Sequence, residues 1–145
     1  SAILGTPMVG SCGARFVLAE LAGLDALAAA APDAAAFARH LPVIPGQEDV
    51  GVHLFARQAG GRLRARMFAP LGGVPEDPAT GSANVALGGL LLHRDGGDSL
   101  AVEVEQGIEM GRPSRLRVTA RRGADGIRVS VGGGVVPVSA GRIET

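Results

Sequence analysis

An apolar helix that directly follows an acidic loop is the feature that most constrains this chain. Pro78 pushes Asp77 out of the α region, so the helix can begin only after this pair, with Thr80 or Ser82 as its N-cap. The apolar residues that follow lie on both sides of the helix: Ala83, Ala86, Leu87, Leu90 and Leu91 on one face, Val85 and Leu92 on the other. A helix that is apolar all round is buried, so the rest of the chain has to cover it.

Two glycines, Gly88 and Gly89, lie inside this helix. A glycine in a helix interior costs roughly 1 kcal/mol relative to alanine, so the absence of a side chain has to bring some gain. Close approach of surrounding strands is the simplest such gain. The pair therefore predicts strands packed against the helix backbone.

Alternating apolar residues predict those strands. The runs are residues 14–21, 50–56, 63–67, 100–104, 116–120 and 127–131, with hairpin turns at Gly60 and Gly61 and at residues 122–126. In the second run we expect Val52, Leu54 and Ala56 to face the core and His53 the wetter side. Residues 24–41 are alanine-rich and predict two short helices, with Pro32 as the first residue of the second.

These patterns predict an α+β fold as a single domain over residues 1–145. A strongly curved, mostly antiparallel sheet wraps around a central buried helix, and a short helical pair lies at its periphery. The length of 145 residues suits one domain with its own core. Residues 42–49, with two prolines and a glycine, are expected to connect the pair to the next strand without chemistry of their own.

The charge pattern excludes several partners. Fourteen arginines balance fourteen acidic residues, so no net field draws the chain to nucleic acid or to a membrane. Arg62, Arg64 and Arg66 form a row on one strand face, but the chain has no tyrosine or tryptophan to stack on bases, so we expect Glu103 and Glu105 as their partners. No stretch approaches the roughly 18 apolar residues of a membrane span, which predicts a cytoplasmic, soluble protein.

The start of the central helix is the candidate binding site. Unpaired N–H groups and about half a positive charge suit a carboxylate or a phosphate there. A phosphate loop needs a lysine after its last glycine, and Ser82 follows Gly81 in a chain without lysine. The pattern therefore disfavours nucleotide binding. On local pattern alone, Thr80, Ser82 and Asp77 are better explained as helix caps than as a binding site.

Other catalytic chemistries find no support in the sequence. His40, His53 and His93 lie on different predicted elements, so we expect no metal and no cofactor. The surroundings of Ser82 do not complete a nucleophile elbow. Cys12 is the only cysteine, and we expect it to be a buried small hydrophobe in a reducing compartment.

Three blocks carry a resemblance to a known family. They comprise residues 76–83, Gln106 and Gly107 with residues 110–114, and Gly132 and Gly133 with residues 135–141. They resemble the phenazine-biosynthesis (PhzF-like) isomerase family, which is related in fold to diaminopimelate epimerase, and residues 135–141 resemble its closing strand. The similarity runs from about Val9 to Ile143 and implies only the C-terminal half of the family, without the half that carries its principal acid/base glutamate. A first residue Ser1 is typical of such a partial chain.

The resemblance implies cofactor-independent proton transfer on a small carboxylated metabolite, in a cleft between two halves. It implies that Thr80, Gly81, Ser82 and Ala83 bind the substrate carboxylate through backbone N–H groups. Asp77 and the Ser82 hydroxyl are the implied catalytic groups.

Two further questions stay open at this point. Arg112 and Ser114 either approach the cleft or stabilise a turn. The alternative function is a non-catalytic carboxylate-binding or scaffolding domain, possibly a homodimer in which two copies imitate the two halves. The expected partners are therefore a small carboxylate together with an N-terminal PhzF-like half or a second copy.

Overall fold

A computed structural model describes residues 2–41 and 50–143, which contain eight strands and three α-helices. The strands are β1 Ile3–Cys12, β2 Ala14–Leu21, β3 Gly51–Arg57, β4 Leu63–Ala69, β5 Val74–Asp77, β6 Ser99–Gln106, β7 Ser114–Gly123 and β8 Gly126–Gly133. The helices are α1 Leu24–Ala28, α2 Ala34–His40 and α3 Gly81–Asp95. The predicted connection at residues 42–49 lies outside the described residues.

The strands form one strongly curled sheet around α3. Their order is β1-β2-β3-β4-β6-β7-β8, and β5 pairs with β4 beside this path. β2 pairs with β3 and β4 pairs with β6 in parallel, whereas the other neighbours are antiparallel. The predicted fold, a mostly antiparallel curved sheet around a central helix with a peripheral helical pair, is confirmed.

Close packing of strands against α3 explains one of its two glycines. The main apolar cluster joins the helix to the sheet: Phe55, Leu63, Ala65, Leu87, Leu91, Val104, Leu116 and Val118. A Cβ on Gly88 would lie 2.6 Å from Val118 Cγ1 and 2.9 Å from Val129 Cγ1, so a side chain there requires both valines to shift. A Cβ on Gly89 would be 3.8 Å from its nearest neighbour, which is ordinary contact.

The sheet does not close over α3. Its end strands, β1 and β8, flank a groove of about 470 Å³, in which Val85 and Leu90 of α3 are half-buried. The prediction that α3 is buried on every side is therefore wrong for this stripe of the helix. β1 itself has no clear alternation in the sequence, because its pairing with β2 shifts register between Leu4 and Met8.

The two faces of β3 are the reverse of the prediction. His53 and Phe55 are completely buried, whereas Val52 and Leu54 are half-buried. The sheet face opposite α3 is covered in part by α1, where Leu27 packs with Leu21 and Ala56. Because both faces of β3 are covered, the alternation of its apolar residues does not identify the inner one.

Arg66 fastens α1 to the sheet. Its guanidinium donates to the carbonyl oxygens of Leu27, Ala28 and Ala30 at 3.0, 3.0 and 2.7 Å and makes two 2.8 Å bonds to the Glu76 carboxylate. The hydrogen bonds that Arg66 donates to Glu76 raise the pKa of Arg66 above its usual value, so the guanidinium stays charged. α2 begins two residues later than predicted, at Ala34 instead of Pro32, because Asp33 is its N-cap and accepts from the N–H groups of Ala35 and Ala36.

The remaining arginines of the row pair as predicted only in part. Arg62 and Arg64 both contact Glu105, at 3.4 and 3.7 Å. Glu103 instead pairs with Arg115 on β7. The three strand arginines are thus engaged within the fold, which agrees with a structural role for the row.

The predicted closing strand at residues 135–141 is wrong. Residues 134–143 have no regular secondary structure, and Val135, Val136 and Val138 are 88, 82 and 93% exposed. No described strand pairs with this segment.

None of the helices in residues 2–41 and 50–143 has the length and apolar character needed to cross a membrane.

Candidate functional site

The N-terminus of α3 is open. The helix begins at Gly81 with Thr80 at the N-cap, so the alternative of Ser82 as N-cap is wrong, and no side chain caps the helix. Among the described residues, the N–H groups of Gly81, Ser82 and Ala83 have no acceptor. These free donors and the positive end of the helix dipole form an anion-binding geometry.

A hollow of about 560 Å³ lies beside the start of α3. Ala79 and Gly81 line one side, Ser114 and Val131 another, and residues 132–136 complete the wall. The backbone of Gly81 is therefore directly accessible from this hollow. Ser114 reaches it as well, whereas Arg112 is exposed in the turn and does not line it.

Asp77 is held next to the helix start by Thr80. The Thr80 hydroxyl donates to Asp77 Oδ2 at 2.6 Å. Thr80 is thus at the N-cap position, but its side chain binds the acid rather than the helix. Asp77 is half-buried and does not line the hollow, although it lies in contact with the residue that precedes Gly81. The structure therefore brings the predicted site residues Asp77, Thr80 and Gly81 together.

Cys12 lines the groove and contacts Ser82 in the first turn of α3. Cys12 Sγ donates to the carbonyl oxygen of Ser82 at 3.2 Å. The Ser82 hydroxyl has no partner among the described residues and remains available to a ligand. Cys12 itself is exposed, so the prediction of a buried cysteine is wrong.

Two buried amides, Gln106 and Asn84, support this site and were missed by the sequence-based prediction. Gln106 Nε2 donates to Asp77 O at 2.7 Å and to Thr80 Oγ1 at 2.9 Å, and its Oε1 accepts from Thr80 N at 3.3 Å. Asn84 Nδ2 donates to Thr80 O at 2.8 Å and to Gln106 Oε1 at 2.9 Å. Both side chains are fully buried. Asn84 is a polar residue within an apolar helix, and this pattern could have indicated a buried hydrogen-bonding role.

The turn after β6 presses on the same loop. Gly107, with φ +77°, and Gly111, with φ +69°, shape the turn, and Arg112 N donates to Gly107 O at 2.9 Å. A Cβ on Gly107 would lie 2.9 Å from Pro78 Cβ and 3.0 Å from Pro78 O. The second sequence block therefore touches the first in space.

In the part of the chain that the structure describes, no three His, Cys, Asp or Glu side chains are grouped to hold a metal ion.

His53 is a buried neutral imidazole beneath the site. Neither ring nitrogen has a hydrogen-bond partner among the described residues. Burial lowers the pKa of His53 to about 4, and the nearby Asn84 side chain opposes this shift. An imidazole that stays neutral at physiological pH acts here as part of the core.

We expect the fold to lose stability in mild acid because of His53. The pKa of His53 in the folded protein lies below the unfolded value of 6.5. Below pH 6.5 the unfolded chain therefore binds a proton at His53 while the folded protein stays unprotonated there until about pH 4, and this stabilises the unfolded state. The free energy of unfolding should fall by about 3 kcal/mol between pH 6.5 and pH 4 on this account. Urea unfolding at several pH values measures it. His53→Gln should flatten this slope, whereas the exposed control His93→Gln should not; equal slopes would contradict the assignment.

Comparison with known proteins shows that the chain is similar to proteins named isomerases. The family model described as phenazine biosynthesis-like protein matches residues 5–141. A trans-2,3-dihydro-3-hydroxyanthranilate isomerase from Pseudomonas fluorescens is 40% identical over 136 residues, 90% of this chain and 45% of the relative. The enzyme of that name from Pseudomonas aeruginosa is 43% identical over 119 residues, 81% of this chain and 39% of the relative. The chain thus spans about half the length of the curated relatives it matches.

Solved structures agree on the fold. A phenazine biosynthesis protein of the PhzF family from Bacillus anthracis superposes with a TM-score of 0.71 at 22% identity, covering 85% of this chain and 43% of that one. A protein described as a predicted epimerase from Pseudomonas aeruginosa gives a TM-score of 0.58 at 27% identity, covering 88% and 41%.

Proposed function

Because this chain belongs to the phenazine biosynthesis-like protein family, we propose that it supplies the carboxylate-binding half of an isomerase. The reaction is a proton transfer on a small carboxylated metabolite, without a cofactor. The principal acid/base glutamate is contributed by an N-terminal half, as the resemblance implies. The exposed thiol of Cys12 suits a reducing compartment, and we place the protein in the cytoplasm.

The uncapped start of α3 is the observation that supports this proposal most strongly. Three adjacent N–H groups at Gly81, Ser82 and Ala83 lack acceptors among the described residues, and Gly81 lines an accessible hollow. A ligand carboxylate at this position accepts hydrogen bonds from these N–H groups and interacts favourably with the helix dipole. When a proton leaves a carbon conjugated to that carboxylate, negative charge develops on its oxygens, and fixed donors stabilise this charge without reorganisation.

Asp77 and Ser82 are the proposed reacting and orienting groups of this half. The hydrogen bond from Thr80 occupies Asp77 Oδ2, so Oδ1 is the oxygen that can exchange a proton with the substrate or orient the donor that does so. The Ser82 hydroxyl lies in the first turn of α3 and can donate to the same substrate carboxylate. A proton removed from one atom of the substrate is returned to another, which leaves its composition unchanged.

Solvent deuterium provides the test. We expect the complete protein that contains this chain to incorporate deuterium from D2O when it acts on trans-2,3-dihydro-3-hydroxyanthranilate, the compound in the names of its relatives. Asp77→Asn should lower the exchange rate by roughly 10²–10⁴-fold, the usual contribution of a positioned acid or base. Asp125→Asn, in the exposed β7–β8 hairpin, is the matched control. Full exchange in Asp77→Asn, or none in the complete protein, would reject the proposed chemistry.

A scaffolding homodimer is the second candidate, and the open sheet favours it. β1 and β8 both end the sheet without a neighbour among the described strands, and exposed valines lie next to β8. Unpaired edges of this kind can be satisfied by a second copy. Light scattering coupled to size-exclusion chromatography distinguishes the two candidates: a monomer at all concentrations excludes the dimer.

A further inference from the structure

We propose that Gln106 is a positioning residue that directs the Thr80 hydroxyl to Asp77 and thereby keeps the start of α3 free for a ligand. The inference rests on the proposed function, because it assigns to Gln106 a role in the same site. It is argued from the hydrogen bonds of one buried side chain. Gln106 lies on β6 and contacts the loop between β5 and α3 across the fold.

Every hydrogen-bonding position of the Gln106 amide is occupied. Its two N–H donors bind Asp77 O and Thr80 Oγ1, and its oxygen accepts from Thr80 N and Asn84 Nδ2. A side-chain amide offers two donors and two acceptor lone pairs. A carbonyl oxygen can only accept and a backbone N–H can only donate, so the contacts with Asp77 O and Thr80 N each fix which end of the amide is nitrogen.

This orientation determines where the proton of Thr80 lies. Because Gln106 Nε2 donates to Thr80 Oγ1 at 2.9 Å, that bond uses the hydroxyl oxygen as an acceptor. The hydroxyl proton is then directed to Asp77 Oδ2 at 2.6 Å. Gln106 therefore donates to Thr80, and Thr80 donates to Asp77. This chain of hydrogen bonds engages Asp77 Oδ2 and leaves Oδ1 free.

The same contacts hold the Thr80 hydroxyl in an orientation in which it does not cap α3. A threonine at an N-cap normally accepts from the second or third N–H of the helix. Here the oxygen of Thr80 accepts from Gln106 instead, and no side chain caps the helix. Gln106 is fully buried and Thr80 is 8% exposed, so water does not compete for these bonds. A residue type that commonly caps helices thus lies at the N-cap, but its side chain makes no hydrogen bond to the helix.

The first experiment compares variants of Thr80 in the complete protein. Thr80→Val removes the hydroxyl and keeps the shape, and we expect kcat for deuterium exchange to fall roughly 10–100-fold, the usual effect of losing a group that orients a reacting residue. The dissociation constant of anthranilate, used as an unreactive probe, should change less than about threefold, because the helix N–H groups are intact. Thr80→Ser restores the hydroxyl and should recover most of the lost rate. Thr119→Val, an exposed threonine on β7, is the control.

The second experiment needs no turnover. In Gln106→Met the Thr80 hydroxyl is released and can cap the helix, so anthranilate should perturb the amide NMR resonances of Gly81, Ser82 and Ala83 at concentrations about tenfold higher than in the wild type. Unchanged anthranilate affinity in folded Gln106→Met, or a Thr80→Val rate equal to that of Thr119→Val, would overturn the inference. If Gln106→Met does not fold, the Thr80 series decides. If the complete protein exchanges no deuterium, the proposed function fails, and the anthranilate comparison still tests Gln106.

Discussion

Gly107→Ala should destabilise the protein by about 3 kcal/mol or more. The new Cβ would clash with the carbonyl oxygen of Arg112 and lie 2.9 Å from Pro78 Cβ, and the φ of +77° disfavours any side chain. The left-handed conformation costs on the order of 1–2 kcal/mol for alanine, and overpacking costs typically 1–3 kcal/mol. Because the nearest atom belongs to the backbone, the clash cannot be relieved by a rotamer change. Urea unfolding measures the loss.

Gly111→Ala is the matched control for this substitution. Gly111 lies in the same turn with φ +69°, but a Cβ there has no atom within 4 Å. It should therefore show only the conformational cost, roughly 1–2 kcal/mol. Equal losses in the two variants would show that contact with the Pro78 loop is unimportant. Gly107→Ala should also weaken anthranilate binding, because Pro78 lies between Asp77 and the helix start.

Arg66→Met should cost about 3–5 kcal/mol. Arg66 is 7% exposed, forms a bidentate pair with Glu76 and donates to three carbonyl oxygens at the end of α1. Removing one member of a buried pair leaves the other charge uncompensated, and this is more expensive than the pair is favourable. The guanidinium also lies 4.9 Å from the centre of the Phe68 ring, a contact that methionine does not reproduce electrostatically.

A double substitution separates the two parts of this loss. If the unpaired Glu76 carboxylate dominates, Arg66→Met combined with Glu76→Gln should recover a large share of the stability. The exposed ion pair of Arg128 with Asp125 provides the control, and Arg128→Met should change the free energy of unfolding by less than about 0.5 kcal/mol. An Arg66→Met variant as stable as Arg128→Met would contradict the buried-pair interpretation.

The elements with a clear apolar period were the ones that the sequence predicted. The start of α3, the β3–β4 hairpin and the β7–β8 hairpin follow from local patterns, because capping residues, turn glycines and alternating apolar residues mark them in the sequence. β1 escaped prediction because its pairing is irregular, and the inner face of β3 was misassigned because both of its faces are covered. The strand at residues 135–141 was wrong for another reason: the family resemblance alone implied it, and the segment pairs with no described strand.

The site was predictable to the extent that it is local. Asp77, Thr80 and Gly81 lie within one short run, and helix-capping rules together with the family resemblance identify them. Gln106 is 26 residues away from Thr80 in the chain, and no rule of spacing links a glutamine at the end of one strand to a distant loop. Its role becomes visible only when the sheet has brought β6 beside β4 and the loop that follows β5.

The position of α3 inside a sheet made from both flanking segments has a consequence for synthesis of the protein. The helix leaves the ribosome before β6, β7 and β8, which supply one wall of its surroundings. Because translation proceeds at about 5–20 residues per second, the apolar surface of α3 stays exposed on the nascent chain for several seconds, until Gly133 has emerged. Chaperone capture of ribosome-bound chains should therefore peak at lengths that include Asp95 and end short of β8.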